Sequence, residues 1–564
     1  MLTKQYLKKN NLLAVPFDKG IGICIMKKST YNNKFVEIYH LPQFKKYKPP
    51  KKNAKNPILK EEEIICETLE ELKANNKISE DLCDKLKPSG SQPPRLYGLS
   101  KIHKDSVPLR PVLSMPDSAY YKIAQKVSDW LSVVPECKTN TSSKEISESL
   151  NNITLDEGSE MVSFDIVSLY TNVPVDDAIT ACANLLYDGD YKQPPVDKET
   201  FIKLLELCSK NVIMLTNDGF YRQINGLAMG SPPAPMLANG WLSTFDSTIK
   251  DNAKIYHRYM DDVLRDIKPE KIDETLTKIN GLDDNLKFTM EKENDNTIPF
   301  LDMRIIRKDQ SLESTWYRKP TDTGLLMNFH ALAPLKYKTY KRSTVIGMIH
   351  RIFRACSNRK NFEESLNKAR KILKKNQYPK KFIESIITET LKKIETGPVV
   401  PTEQVQQEEV MERKKFYVEY RGKVSDQFKR SLNKLNAPCN VIFTLRKLKT
   451  ILPPLKASVE KSYKSCVVYK INCPRCQSCY VGYTCRHLIT RIKEHRRPKA
   501  PVSIHFNSCT YGTHLPSIDD VEIIASSTIS EKHLMTLEAL NISQIKPKLN
   551  TRDEFKSHVL TLKL

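Results

Sequence analysis

The sequence predicts a multidomain α+β protein, and three observations predict it. The chain has 564 residues, too many for one compact domain and enough for two to four. Short apolar strand-like runs alternate with helical stretches through residues 1–329, the pattern of mixed helix and sheet. Apolar spacing then turns helical within a strongly basic block, and a compact Cys-containing segment closes the chain. With 40% hydrophobic and 28% charged residues, the composition suits an ordinary globular protein.

The first unit, 1–329, holds two acidic features. Val162-Ser-Phe-Asp165-Ile-Val167 reads as a strand closed by a lone acid, and Tyr259-Met-Asp261-Asp262-Val-Leu264 sets two adjacent acids in an apolar run. Adjacent acids are more often solvated than functional. In an apolar hairpin, however, their burial is costly, and a bound cation offsets the cost. Nucleotidyl transfer needs two divalent cations held by more than one carboxylate, so Asp165, Asp261 and Asp262 are candidate ligands for a pair of Mg²⁺ ions. Between the two acidic features, Asn225 to Pro235 is rich in glycine and proline, including Gly230. That is a rigid loop whose backbone can approach a base pair closely.

The second unit, 330–395, is predicted to be helical. Apolar residues recur at Val345, Met348, Ile349, Ile352 and Phe353, then at Leu366, Ala369, Ile372 and Leu373. Between Leu335 and Lys381 there are fifteen Lys or Arg but only two acids, Glu363 and Glu364. A solvated face is the bland reading; an excess this large favours contact with a phosphate backbone. The whole chain carries a formal charge of +24, which also points to a polyanionic partner.

Residues 396–415, with Pro, Gln and Glu and little to bury, are expected to be a linker, and 416–456 a connector. The last unit is 457–564. Cys473-Pro-Arg-Cys476 has the two-residue gap that lets both thiolates reach one tetrahedral metal, and His505 and His514 complete a Cys2His2 set. The His spacing is looser than a finger's, and Cys479, Cys485 and Cys509 compete for the same role. Four protein ligands leave no open position, so the expected Zn²⁺ is structural. Interleaved with these residues, Val467-Val-Tyr469 and Tyr480-Val-Gly482 lie in strand-like runs, and Arg491 and His495 share a helix face at i, i+4. Glu538 falls on a helix from Lys532 to Ile545, and Asn550 follows in Pro547-Lys-Leu-Asn550.

No apolar stretch approaches the length of a membrane span, the N-terminus has no signal-peptide architecture, and most cysteines are scattered singly, as in a reducing compartment.

The first unit's motifs resemble those of reverse transcriptases. Tyr259-Met-Asp261-Asp262 is similar to the polymerase hairpin, and Asp165 to the acid of the preceding palm strand. The resemblance implies that Asp165 and Asp261 bind both metals while Asp262 assists. It makes Tyr170 the aromatic gate that excludes a ribose 2′-hydroxyl, and thus deoxynucleotides the substrates. Gly226-Leu-Ala-Met229-Gly230 matches the template- and nucleotide-positioning loop, although many reverse transcriptases have Gln where Met229 stands. Tyr97 to Lys104 and Leu109-Arg110-Pro-Val112 resemble the fingers. There Arg110 would clamp the triphosphate, helped by Lys101 or Lys104. Ile298 to Met303 resembles the primer-gripping hairpin, and the basic helical block stands where the thumb of a right-hand polymerase fold belongs.

The wording of Ser163–Pro174, Gly226–Pro232 and Tyr317-Arg-Lys-Pro-Thr-Asp-Thr-Gly324 is similar to Penelope-like retroelements, relatives of telomerase catalytic subunits. Val15-Pro-Phe-Asp-Lys-Gly20 fits their N-terminal block. Met1 falls close to it, so upstream sequence present in some relatives is expected to be absent. The likeness covers almost the entire chain, because that family carries a GIY-YIG endonuclease domain, a small α/β nuclease with a Cys/His zinc insertion. Here Val-Val-Tyr469 stands in place of Gly-Ile-Tyr. It implies Tyr469 or Tyr480 for the attacking water, Arg491 for the scissile phosphate and His495 for proton transfer or phosphate binding. Glu538 would hold one Mg²⁺, and Asn550 would order the site.

The expected function is thus an RNA-directed DNA polymerase that extends a nick made by its own endonuclease. Its partners are an RNA template, a DNA target and primer, and dNTPs, without a membrane; its place is the nucleus, where chromosomal DNA is. A decayed or domesticated nucleic-acid-binding copy would keep the basic surface and lose the metal carboxylates, all of which are present. A telomerase-like host polymerase is disfavoured, because extending a chromosome end needs no nick.

Overall fold

Strand alternation decides the central sheet. In Glu160–Ile166, Val162, Phe164 and Ile166 point into one core while Met161 points into another, which leaves Asp165 on the second face. The antiparallel sheet runs Phe288–Lys292, Glu160–Ile166, Asp262–Ile267, Tyr256–Tyr259. The computed structural model describes residues 2–48, 56–102, 104–138, 143–332, 335–396, 414–435, 439–445 and 452–550.

A five-stranded sheet lies beside it in the order Phe44–Lys46, Gly219–Gln223, Ile213–Thr216, Arg95–Ser100, Leu109–Ser114. An N-terminal hairpin, Leu12–Pro16 with Ile23–Lys27, docks on this sheet: the amide of Asp18 donates to the Ser100 carbonyl at 2.9 Å.

Three antiparallel strands follow, Thr297–Phe300, Met303–Lys308 and Ser311–Trp316. Their Ile298, Phe300, Ile305 and Trp316 share one core with the three helices of the basic block, Leu335–Ala355, Arg359–Lys375 and Lys380–Glu395. At about 1.5–3 kcal/mol for each buried side chain, Val345, Met348, Ile349 and Ile352 anchor a first helix whose other surface is largely polar. Leu366, Ala369 and Leu373 do the same for the second, which starts where the Asn358 side chain caps the amide of Asn361 at 2.9 Å. The expected apolar face is therefore present, with one correction. Phe353 is 41% exposed, because it sits at the margin of the stripe, against the ring of Phe362.

Nearly all of the expected linker, residues 397–413, lies outside the described residues. In the connector, Lys414–Glu419 pairs in parallel with Cys439–Thr444, and the helix Lys423–Lys434 crosses between them. The C-terminal unit is a three-stranded antiparallel sheet in the order Cys479–Thr484, Val467–Asn472, Val521–Ser526. Helices Leu488–His495 and Pro501–Ser508 pack against one face, and Glu531–Ile545 against the other.

This unit is seated on the first one. The Gln92 amide donates to the Tyr463 carbonyl at 2.8 Å, and Nε2 of the buried His487 donates to the Ser91 carbonyl at 2.7 Å. Among the described residues, no helix is long and apolar enough to cross a membrane.

Candidate active sites

The acidic hairpin turns at Met260 and Asp261, with Met260 in the left-handed region at φ +56°. The Asp261 carbonyl accepts from the amide of Ile166 at 3.1 Å, which ties this turn to the strand of Asp165. Register then sets Asp262 directly opposite Asp165. The three acids meet on one face of the sheet and repel one another. Burial, then the Asp261 charge, pushes the Asp165 carboxyl up; burial, Asp261 and Asp165 push Asp262 up to about 6. Lys19, Lys104 and Lys319 are close enough to pull Asp165 the other way.

The expected substrate residues surround this cluster. Half-buried Tyr170 has its phenol pushed up to about 12, by burial and then by Asp261, while Arg110 opposes the shift, so both charges are near the ring. The Tyr170 carbonyl accepts from the amide of Leu227 at 2.6 Å, so the glycine-proline loop packs on the Tyr170 segment. On its other side, Gly230 has φ +116° and a Cβ there would run into the Leu113 carbonyl, while the Leu113 amide donates to the Met229 carbonyl at 2.8 Å. Arg110 is on the same strand as Leu113, and its Nε lies 2.8 Å from Asp18, an opposite-charge contact rather than an aligned hydrogen bond. Lys101 is pulled below its ordinary value by burial and then by Arg110 and Lys104. Asp165, Asp261, Asp262, Tyr170, Arg110, Lys101 and Lys104 thus converge, and Gly230 packs on the strand that carries Arg110. Sequence reasoning does not single out Asp18, Lys19 or Lys319, though they lie within its motifs; the fold brings the two lysines to the acids and Asp18 to Arg110.

In the C-terminal unit, Tyr469 is fully buried and pairs across the sheet with Gly482. A Cβ on Gly482 would lie 2.8 Å from both the Tyr469 hydroxyl and the Tyr480 ring, so glycine is what lets the two rings meet. The Tyr469 hydroxyl accepts from Arg491 Nε at 3.1 Å and donates to His495 Nε2 at 2.8 Å. Burial, then Arg491, lowers His495 to about 4, so its imidazole is neutral and able to accept. Burial pushes Tyr469 up to about 12, with Arg491 opposing and Glu538 reinforcing, which brings Glu538 within reach of the same cluster. The Tyr480 ring centroid is 4.9 Å from that of His495. Asn550 orders the neighbouring strand, donating to the Val481 carbonyl at 2.7 Å and accepting from its amide at 2.9 Å.

Beside this cluster, Cys473, Cys476, His505 and Cys509 bring ligand atoms all within 4.8 Å of one another. Cys476 Sγ is 3.1 Å from His505 Nε2, and Cys473 Sγ is 3.9 Å from Cys509 Sγ, close to the ~3.8 Å that two thiolates span on one tetrahedral zinc. The donor set fits zinc, but it is Cys3His. Cys509 takes the position expected for His514. Cys509 follows the helix Pro501–Ser508 four residues after His505, on the same side. Instead, His514 donates its amide to Phe506 and stacks its ring on the Phe506 ring, with centroids 4.1 Å apart.

A family model described as an animal helix-turn-helix domain matches residues 337–388, within the basic helical block. No curated protein matches the chain. Solved structures similar to it include a telomerase from Candida albicans in complex with a TWJ fragment of telomeric RNA, at 10% identity, 70% coverage of each chain and a TM-score of 0.40. Apo telomerase from Candida tropicalis is 12% identical, over 69% of this chain and 68% of that one, with a TM-score of 0.41. The Sicinivirus 3Dpol RNA-dependent RNA polymerase is 10% identical, over 69% and 84%, with a TM-score of 0.33. Likeness at these TM-scores carries no functional argument, and the function proposed below rests on the geometry of the sites.

Proposed function

We propose that this chain is the RNA-directed DNA polymerase of a Penelope-like retroelement, and that its C-terminal unit is a GIY-YIG-type endonuclease that nicks DNA to prime reverse transcription. The observation that carries this reading is the pairing of Asp165 with Asp262 beside the Asp261 turn, with Tyr170 and Arg110 next to them. Three mutually repelling carboxylates suit two Mg²⁺ ions, which when bound would activate the primer hydroxyl and hold the triphosphate. Asp165 and Asp261 would hold both, and Asp262 would assist. Arg110, with Lys101 or Lys104, grips the triphosphate; Tyr170 blocks a 2′-hydroxyl; and the loop through Gly230 packs against the nascent base pair. The basic helices, matched in part by a helix-turn-helix model, hold the RNA template and DNA primer by their phosphates.

In the C-terminal unit, Arg491 binds the scissile phosphate and is oriented by Tyr469. Neutral His495 accepts a proton, Tyr480 borders the attacking water, and Glu538 would hold one Mg²⁺. Zinc on Cys473, Cys476, His505 and Cys509 is structural. With chromosomal DNA as the target, the place of action is the nucleus.

Purified wild type and Asp261→Ala, given poly(rA)/oligo(dT), dTTP and Mg²⁺, test the first activity: incorporation by wild type alone is expected, and incorporation by both overturns the metal-site assignment. Supercoiled plasmid tests the second, with nicking lost in Glu538→Ala. A wild type that binds nucleic acid but neither copies nor nicks is the decayed, binding-only protein.

A further inference from the structure

Lys19 and Lys319 come from opposite ends of the first unit. One is in the turn of the N-terminal hairpin and the other follows the strand Ser311–Trp316; the Thr323 hydroxyl joins the two segments by donating to the Ile21 carbonyl at 3.3 Å. Both lysines are exposed, and neither side chain has a hydrogen-bond or ion-pair partner among the described residues. They line a cavity of about 470 Å³ together with Asp165, Asp262, Pro299 and Leu301. A second cavity, of about 680 Å³, shares Lys19, Leu301, Tyr317 and Lys319 and extends to Arg351 on the first basic helix. Arg110 and Lys101 line neither cavity.

We propose that Lys19 and Lys319 each bind a backbone phosphate of the strand being extended, at the end of a basic track that runs from the aspartates to Arg351. The proposal rests on the polymerase reading above. A free triphosphate would end beside Arg110, whereas a track that continues for two cavities toward a cationic helix suits a polyanion with successive phosphates. Two ammonium groups converging from separate segments also close the cleft on one side, so a strand lying there is held by both.

The full chain, as wild type, Lys19→Ala, Lys319→Ala, the double variant and Lys319→Arg, is titrated with a fluorescent primer–template hybrid over a KCl series. Each alanine is expected to weaken binding about eightfold at 0.1 M salt and to reduce the slope of log K against log salt by about one, the counterion release of one phosphate. Lys319→Arg is expected to restore both, with unchanged thermal unfolding and unchanged KM for dTTP in every variant. Unchanged slopes overturn the proposal. So does a loss that appears in the dTTP KM, which makes the ligand a nucleotide phosphate, or only in Mg²⁺ affinity, which makes the lysines mere charge compensation. Lysine-dependent hybrid binding without any dTTP incorporation would keep this site and remove the polymerase assignment; incorporation with unaltered slopes would do the reverse.

Discussion

The acidic cluster and the tyrosine cluster are completed by different things. Asp165 and Asp262 face a cavity, and burial together with the neighbouring Asp261 charge raises their hold on protons. Tyr469, Arg491 and His495 satisfy one another, and Gly482 makes room for them. A site built for charged ligands stores repulsion that the ligands relieve. A site built on internal hydrogen bonds is part of the core that holds it. Removing a residue from the first should therefore cost activity alone, and from the second both activity and stability.

The largest effect tests the second half of that contrast. Cys509→Ser, or a strong chelator, is expected to abolish both zinc content and cooperative unfolding of the C-terminal unit, since a structural zinc contributes on the order of 10 kcal/mol in small modules. His514→Ala is expected to keep its zinc; metal analysis beside circular dichroism distinguishes the pair.

Next comes Asp261→Asn, expected to lower dTTP incorporation by roughly 10³-fold or more while leaving the unfolding midpoint of the first unit unlowered. A drop in both would erase the distinction between the regions.

Smaller again is Tyr469→Phe, which strands Nε2 of the buried His495 while Arg491 keeps its ion pair with Glu494, and is expected to cost about 1–3 kcal/mol in denaturant unfolding.

The smallest shift is a gain. Asp262 holds its proton up to about 6 in the fold, against about 4 when unfolded, so its penalty is absent below pH 4 and complete above pH 6. Metal-free Asp262→Asn is accordingly expected to be more stable than wild type by about 1–2 kcal/mol at pH 7.5, and nearly equal to it at pH 4, in parallel thermal scans.

Legibility in the sequence followed the distance over which each feature is decided. The acidic hairpin, the Gly230 loop and the basic helices are local patterns, and the structure has them where the sequence puts them. The zinc set went partly astray because ligand spacing favours a second histidine, while the choice of Cys509 depends on a helix face and on His514 finding the Phe506 ring. Lys19 and Lys319 could not be read as a pair, being three hundred positions apart and brought together by the fold, where Thr323 bonds to the hairpin. The connector's strand–helix–strand unit was missed because its helix, Lys423–Lys434, offers few apolar positions to count.

The seat of the C-terminal unit on the Ser91–Gln92 segment bears on how a cut end would travel. Prying the units apart strands the His487 imidazole and the Ser91 carbonyl, which are buried against each other. Under the proposed function, the two chemistries would be mounted as fixed stations on one body, and DNA would have to thread from one to the other instead of riding a swinging arm. For the proposed retroelement protein, the offset between the nicked position and the first copied nucleotide becomes a constant length of strand, a ruler built into the protein.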